Sequence, residues 1–242
     1  MANIIKLTAS DGSTVEFYDE IKAQGGVKDV YFSTDKTYVV AFYRNPTNAN
    51  DKARLENIVG VYREKIFVQN SDGDYWNDIF AWPTKMVEWK GLTGIVIPFY
   101  NKKFFFTGID AQWPFIKNGQ EKNGKWFSSA KLINKFVPAD QKGTFLSRLH
   151  MCLKIARGIR RIHAAGLAHS DLSYNNVLVD PLSGSACIID DDGLVVPGKF
   201  PPEVVGTPGF IAPEVLATKT LKIDLSLIHI SRAHETDSYL VC

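Results

Sequence analysis

Cysteine is scarce in this 242-residue chain: Cys152, Cys187 and Cys242 stand at spacings that match no metal-ligand pattern. That argues against a disulfide-stapled scaffold and leads us to expect a reducing, cytoplasmic setting. Long apolar runs are missing too. No stretch approaches the ~20 apolar residues that span a bilayer, so no membrane partner is expected. Lys6 and Asp11 interrupt the N-terminus before a signal-peptide core can form. Charge of one sign is also lacking. A formal net charge of +2 gives no reason to expect a polyanion, and no nucleic-acid partner is expected. Internal repeats and low-complexity tracts are absent. Apolar residues, by contrast, make up 45% of the chain, enough for the core of one large domain or of two lobes.

The stretch that organises the rest is His169-Ser170-Asp171-Leu172-Ser173-Tyr174-Asn175-Asn176, followed by Val177-Leu178-Val179-Asp180. An Asp with an Asn five residues on has a use in phosphoryl transfer. A short loop lets the Asp take the proton of an attacking hydroxyl while the Asn turns back onto a metal ion. The apolar, β-branched residues that follow read as a buried strand that anchors the loop. An Asx-rich surface turn has a similar composition, so this stretch alone leaves both readings open. Downstream, Ala186-Cys187-Ile188-Ile189 leads into Asp190-Asp191-Asp192-Gly193. Three adjacent carboxylates repel one another unless a cation collects them. Gly206-Thr207-Pro208-Gly209-Phe210-Ile211-Ala212-Pro213-Glu214 comes next.

In this order and spacing the three motifs resemble the protein kinase superfamily: its catalytic loop, its metal-binding Asp-x-Gly turn and the end of its activation segment. The resemblance runs over about residues 12–220. It implies an α+β, two-lobed protein-kinase-like fold. Residues 1–100 would form a β-rich, nucleotide-covering N-lobe. Residues 101–224 would form an incomplete helical C-lobe with the catalytic loop, metal loop and activation segment.

Taken in order, Thr14 to Tyr18 alternates, Gly25-Gly26 interrupts, and Val30-Tyr31-Phe32 resumes. After the turn at Asp35-Lys36, Thr37 to Arg44 reads as a strand. Lys52 to Lys65 predicts one helix with Leu55, Ile58 and Val59 on its apolar face. Ile79 to Trp89 and Leu92 to Tyr100 read as a hairpin around Lys90-Gly91. Gly119, Asn123 and Gly124 among Lys and Glu predict an exposed loop, and Trp126 to Phe136 a short amphipathic helix. Trp113 and Trp126 are expected to be buried beneath that loop. Phe145 to Ala165 predicts a long helix stopped by Gly166. Leu149, Cys152, Leu153, Ala156 and Ile159 are assigned to its buried face, and Arg157, Arg160 and Arg161 to its solvated one.

The resemblance assigns roles. Asp171 becomes the catalytic base, and Asn176 a metal ligand. Strict Asp-x-Gly spacing selects Asp191 as the second ligand, whereas the rule that this Asp follows the apolar strand selects Asp190, the favoured choice. The phosphate-covering loop is degenerate: Gly25 falls at its middle glycine with Gly26 beside it, and Ala23 and Lys28 replace the outer two. Ala41 lies under the nucleotide. The strand Lys that normally pairs with the phosphates is replaced by Tyr43, and Arg44 is the nearest basic residue. Strand alternation points Arg44 to the other face. Glu56 is the candidate partner for that cation, and Phe99, between Pro98 and Tyr100, sits where backbone groups hold adenine.

Two further departures stand out. Ser170 replaces the Arg that usually receives an activation-loop phosphate, which argues against control by phosphorylation at Thr207. Ser173 replaces the Lys that marks serine/threonine kinases. The expected activity is Mg²⁺- and ATP-dependent transfer of the γ-phosphoryl group to Ser/Thr hydroxyls of a protein substrate, in a divergent bacterial branch of the superfamily. A nucleotide-binding pseudokinase or scaffold and a small-molecule phosphotransferase are the alternatives. Finally, Leu225-Ser226-Leu227-Ile228-His229-Ile230 resembles translated transposon-end adapter used in sequencing libraries. Residues 225–242 are expected to be non-native, and His229, His234, Glu235 and Cys242 not to form a metal site.

Overall fold

The computed structural model describes residues 3–67, 73–196, 198–200, 206–207 and 209–211. Pro208, Ala212-Pro213-Glu214 and the 225–242 tail lie outside the described residues. The chain divides into two compact units. The first comprises Met1–Ser71 and Ala81–Tyr100, the second Asp72–Phe80 and Asn101–Cys242. Asp72–Phe80 therefore packs with the second unit, although the sequence suggests the first.

The first unit is built on an antiparallel sheet: β1 (Ile4–Thr8), β2 (Thr14–Gln24), β3 (Lys28–Ser33), β4 (Tyr38–Tyr43), β5 (Lys85–Trp89) and β6 (Leu92–Pro98), in the order β1-β2-β3-β4-β6-β5. Alternation explains its two faces. Val15, Phe17, Tyr31, Val40, Phe42, Val87 and Val96 form one apolar cluster, with Trp89 packed against it. Phe17 meets Tyr31 and Trp89 edge-on, at centroid distances of 5.5 and 5.4 Å, a geometry aromatic quadrupoles favour. The alternate residues Ala41, Met86 and Ile95 are buried on the opposite face.

The single helix expected over Lys52 to Lys65 is in fact interrupted. α1 (Ala49–Asn57) is capped by the Asn48 side chain, which accepts from the Asp51 N–H. A wide turn over Ile58–Tyr62 follows, and α2 (Arg63–Phe67) resumes the helix. Gly60, at φ −97° and ψ −107°, is where the helix breaks. Leu55 and Ile58 are fully buried, and the indole of buried Trp82 donates to the Ile58 carbonyl at 2.9 Å. β5 also begins later than expected.

The second unit opens with α3 (Gly73–Ile79), in a stretch not read as helical from sequence. Asp78 on α3 pairs with Lys103 and, at 3.0 Å, with Lys154. Desolvation pushes its carboxyl up, but the two ammonium groups outweigh this and hold it below its ordinary value. α4 (Ala130–Phe136) starts at the Ser129 cap, and a 3₁₀ turn, Gly124–Phe127, precedes it. α5 (Phe145–Ala164) has a capping box between Thr144 and Ser147. The hairpin β7 (Val177–Asp180) and β8 (Ser185–Ile188) is buried throughout. Val177, Val179 and Ala186 from this hairpin join Phe106, Ile116, Phe127 and Met151 in the core, with Trp113 and Trp126 packed against it.

The buried face of α5 differs from the expected one. Met151, Gly158 and Ile162 are buried, while Leu149 and Leu153 are 41% and 48% exposed. Gly158 decides this. A Cβ there would lie 2.8 Å from Ile188 Cδ1 and 2.9 Å from Ile79 Cγ2, so only glycine lets α3 and β8 approach the helix this closely.

Candidate active site

The loop from His169 to Asn176 rests on the β7–β8 hairpin. Val177 pairs with Ile188, and the Ile189 N–H donates to the Asn176 carbonyl at 3.0 Å. This bond carries the ladder one step past the strands and sets Asn176 beside the residue that precedes Asp190. On the other side, Ala168 and Val195 exchange both backbone hydrogen bonds, at 3.0 and 2.8 Å. The loop is thus fixed at both ends by backbone pairing.

Within the loop, the Asn176 amide nitrogen donates to the Asp171 backbone carbonyl at 2.7 Å and to its Oδ2 at 3.1 Å. Those two donations fix the amide's orientation and leave its carbonyl oxygen as the acceptor end. Asp171 Oδ1 accepts from the Thr207 N–H at 2.7 Å and from the Thr207 hydroxyl at 2.6 Å. Gly206 makes that docking possible. Its φ is +107°, and a Cβ would lie 2.8 Å from the Ser170 carbonyl oxygen. Phe210 packs edge-on against Tyr174, with centroids 4.9 Å apart. No local sequence signal joins Thr207 to Asp171 across the 36 residues between them.

His169 is packed beneath the loop. One ring nitrogen lies 3.3 Å from the Ile189 carbonyl, and the other accepts from the Asp171 N–H at 3.3 Å. Loss of water pushes the imidazole below its ordinary pKa. The Ile189 carbonyl and the charges of Asp190, Asp171 and Asp192 pull the other way without reversing the shift. A neutral ring that bridges the two loops is the arrangement this produces.

The carboxylates after β8 are not equivalent. Asp190 is exposed and left-handed, at φ 66° and ψ 34°. Asp191 and Asp192 are buried, at 1% and 2% exposure, in the 3₁₀ turn Asp191–Gly193. The exposed Asp190 carboxylate and the Asn176 carbonyl oxygen are hard oxygen donors of the kind Mg²⁺ takes. Among the described residues no group of three or more His, Cys, Asp or Glu side chains gathers to hold a metal ion.

In the first unit, Gly25 and Gly26 form the exposed β2–β3 turn, closed by a 2.9 Å bond from the Gly25 N–H to the Lys28 carbonyl. Arg44 donates to the Gly25 carbonyl and, at 2.6 Å, to that of Gly26, with Asp29 3.7 Å away. Tyr43 is buried, 6% exposed, and the Lys28 ammonium lies 5.5 Å from its ring centroid. Ala41 is buried and Glu56 exposed. The Phe99 N–H donates to the Thr37 carbonyl at 2.9 Å, so that donor is already engaged.

A β-rich unit followed by helices, with a paired Asp171–Asn176 loop seated on a small hairpin, is the α+β architecture of protein kinase domains. A rhoptry kinase from Toxoplasma gondii superposes with a TM-score of 0.57 at 14% identity, covering 91% of this chain and 58% of that one. The kinase domain of PF14_0431 gives 0.52 at 17%, covering 93% and 63%. These likenesses show the fold. No family model matches the chain. In sequence, the rat dual specificity testis-specific protein kinase 1 is 42% identical over an alignment of 78 positions that covers 28% of this chain and 12% of that protein. The sea urchin Strongylocentrotus purpuratus dual serine/threonine and tyrosine protein kinase is 38% identical over 73 residues, 30% of this chain and 8% of that one. The matches thus span a small part of each curated relative. Both the fold likenesses and the local sequence matches are thus to protein kinases.

Proposed function

We propose that the chain is a protein kinase domain that uses ATP and Mg²⁺ to phosphorylate hydroxyl groups, preferentially Ser/Thr, of a protein substrate. One observation carries this reading: the Asp171 carboxylate is held by Asn176 on one oxygen and by Thr207 on the other. A carboxylate offers about four lone-pair positions. Thr207 fills two on Oδ1 and Asn176 one on Oδ2, so the position left on Oδ2 is the one for an incoming hydroxyl. The hydroxyl oxygen attacks the γ-phosphorus, the bond from that phosphorus to the β–γ bridging oxygen breaks, ADP leaves, and Asp171 receives the hydroxyl proton. Mg²⁺, when bound, neutralises charge on the phosphates; Asn176 and Asp190 are the residues that would hold it. Asp190 is preferred to Asp191 because its carboxylate is exposed while that of Asp191 is buried.

Thr207 supports Ser/Thr substrates, since its contact ties the segment beneath the acceptor to the catalytic Asp. A nucleotide-binding pseudokinase is the second reading, favoured by Tyr43 in the place of the strand Lys and by Ser173 in the loop. Replacing Asp171 with Asn separates the two. We expect Asp171→Asn to abolish Mg²⁺-dependent transfer from labelled ATP to a generic protein acceptor while nucleotide binding, followed by titration calorimetry, persists. Equal transfer by both proteins would exclude the kinase reading, and binding without transfer in both would establish the pseudokinase.

A further inference from the structure

A kinase whose strand Lys is replaced by a buried Tyr needs another cation for the nucleotide phosphates. Arg44, next in sequence, does not supply it. It follows the last residue of β4, and its guanidinium is committed to the Gly25 and Gly26 carbonyl oxygens and to Asp29. Asp29 pairs across the strands with Phe42, a member of the aromatic cluster.

Lys28 meets the requirement. It opens β3 directly opposite Tyr43, in a register that runs unbroken from Lys28↔Tyr43 through Val30↔Ala41 to Phe32↔Val39. Directly paired residues share a face, and their Cβ atoms stand about 4.5–5.5 Å apart. A Lys at position 28 therefore reaches the same ground as a Lys at position 43. Its ammonium already lies over the Tyr43 ring, 5.5 Å from the centroid. That contact makes Tyr43 a platform which restricts where the charge can go. Lys28 also follows the Gly25-Gly26 turn, so the cation and the loop's backbone are presented together.

We infer that Lys28, from the neighbouring strand, is the cation that binds the α- and β-phosphates of ATP, with the Tyr43 ring as its support. This inference rests on the kinase reading above. Its test uses the 242-residue chain and compares wild type, Lys28→Met, Arg44→Ala and the double variant Lys28→Ala with Tyr43→Lys. Lys28→Met is expected to lower kcat/KM for Mg·ATP roughly 100-fold and to weaken ATP binding while leaving adenosine binding unchanged, because only the phosphates touch Lys28. The double variant, which returns the cation to β4, is expected to recover most of the loss, and Arg44→Ala to cost far less. If Lys28→Met bound and turned over ATP like wild type, or lost adenosine and ATP affinity equally, the assignment of Lys28 would be overturned while the kinase reading stood. If wild type itself neither bound ATP nor transferred phosphate, the kinase reading would fall and the Lys28 inference with it.

Discussion

At the residue scale, the role proposed for Asp171 requires a carboxylate that stays aimed and keeps one acceptor position open, and its neighbours bear on both. Asn176 holds Oδ2 and the backbone carbonyl, which fixes the rotation of the carboxylate. Thr207 holds Oδ1 twice and so couples the aim of the carboxylate to the segment that begins at Gly206. The hydroxyl bond to a charged acceptor is the stronger of the usual side-chain bonds, worth about 1.5–3 kcal/mol. Thr207→Val keeps the shape and the backbone bond but loses the hydroxyl. On the kinase reading we expect kcat to fall roughly 10- to 100-fold with little change in the KM for Mg·ATP, and Thr207→Ser to retain most of the activity. Steady-state kinetics at varied ATP would show this. A loss confined to KM would mean that Thr207 serves nucleotide binding rather than the aim of Asp171.

At the scale of elements, β7 is anchored by an ion pair that charge patterning alone hides. Lys122 and Asp180 are 4% and 6% exposed in their side chains and 3.2 Å apart. Lys122 also donates to the Lys103 carbonyl at 3.0 Å, and Asp180 accepts from the Ser183 hydroxyl at 2.6 Å. Removing one partner strands a buried charge. We therefore expect Lys122→Met to destabilise the fold by about 3–5 kcal/mol and Lys122→Met with Asp180→Leu to recover much of it, as read from urea unfolding midpoints. The same elements show what could be read from sequence. The strands around Tyr31 and Phe42 and the short strand β7 itself were legible, because alternation and short β-branched runs are local signals. So was the closeness of Asp171 and Asn176, whose spacing is set within one loop. The stretch around Lys122 looked like solvated loop, because a lone Lys reveals no partner 58 residues away. The buried face of α5 was misjudged because the larger Leu149 and Leu153 outweighed Gly158 in the pattern. Packing turned instead on the one position where β8 and α3 needed the absence of a side chain. The role inferred for Lys28 was hidden for the same kind of reason. It follows from a cross-strand register, which only the hairpin geometry reveals.

At the scale of the whole molecule, the consequence of that α5 geometry is an apolar surface. Phe145, Leu146, Leu149 and Leu153 are 61%, 62%, 41% and 48% exposed and recur at the three- and four-residue steps that make one stripe along a helix. A contiguous exposed apolar stripe of this kind is a candidate site for association, and a net charge of +2 on 242 residues supplies little long-range repulsion to oppose it. The purified chain is therefore expected to self-associate as its concentration rises, with light scattering reporting species larger than 27.0 kDa. Leu149→Lys combined with Leu153→Glu should shift the population towards monomer. These side chains lie outside the buried set on α5, so the melting temperature should stay within a few degrees, as for surface substitutions worth about 0.5 kcal/mol or less. The two measurements distinguish two roles for the stripe. A monomeric variant with unchanged melting assigns it to association alone. A variant that melts far earlier would show that Leu149 and Leu153 are needed for the fold itself, and the packing assigned here to Met151, Gly158 and Ile162 would have to be redrawn.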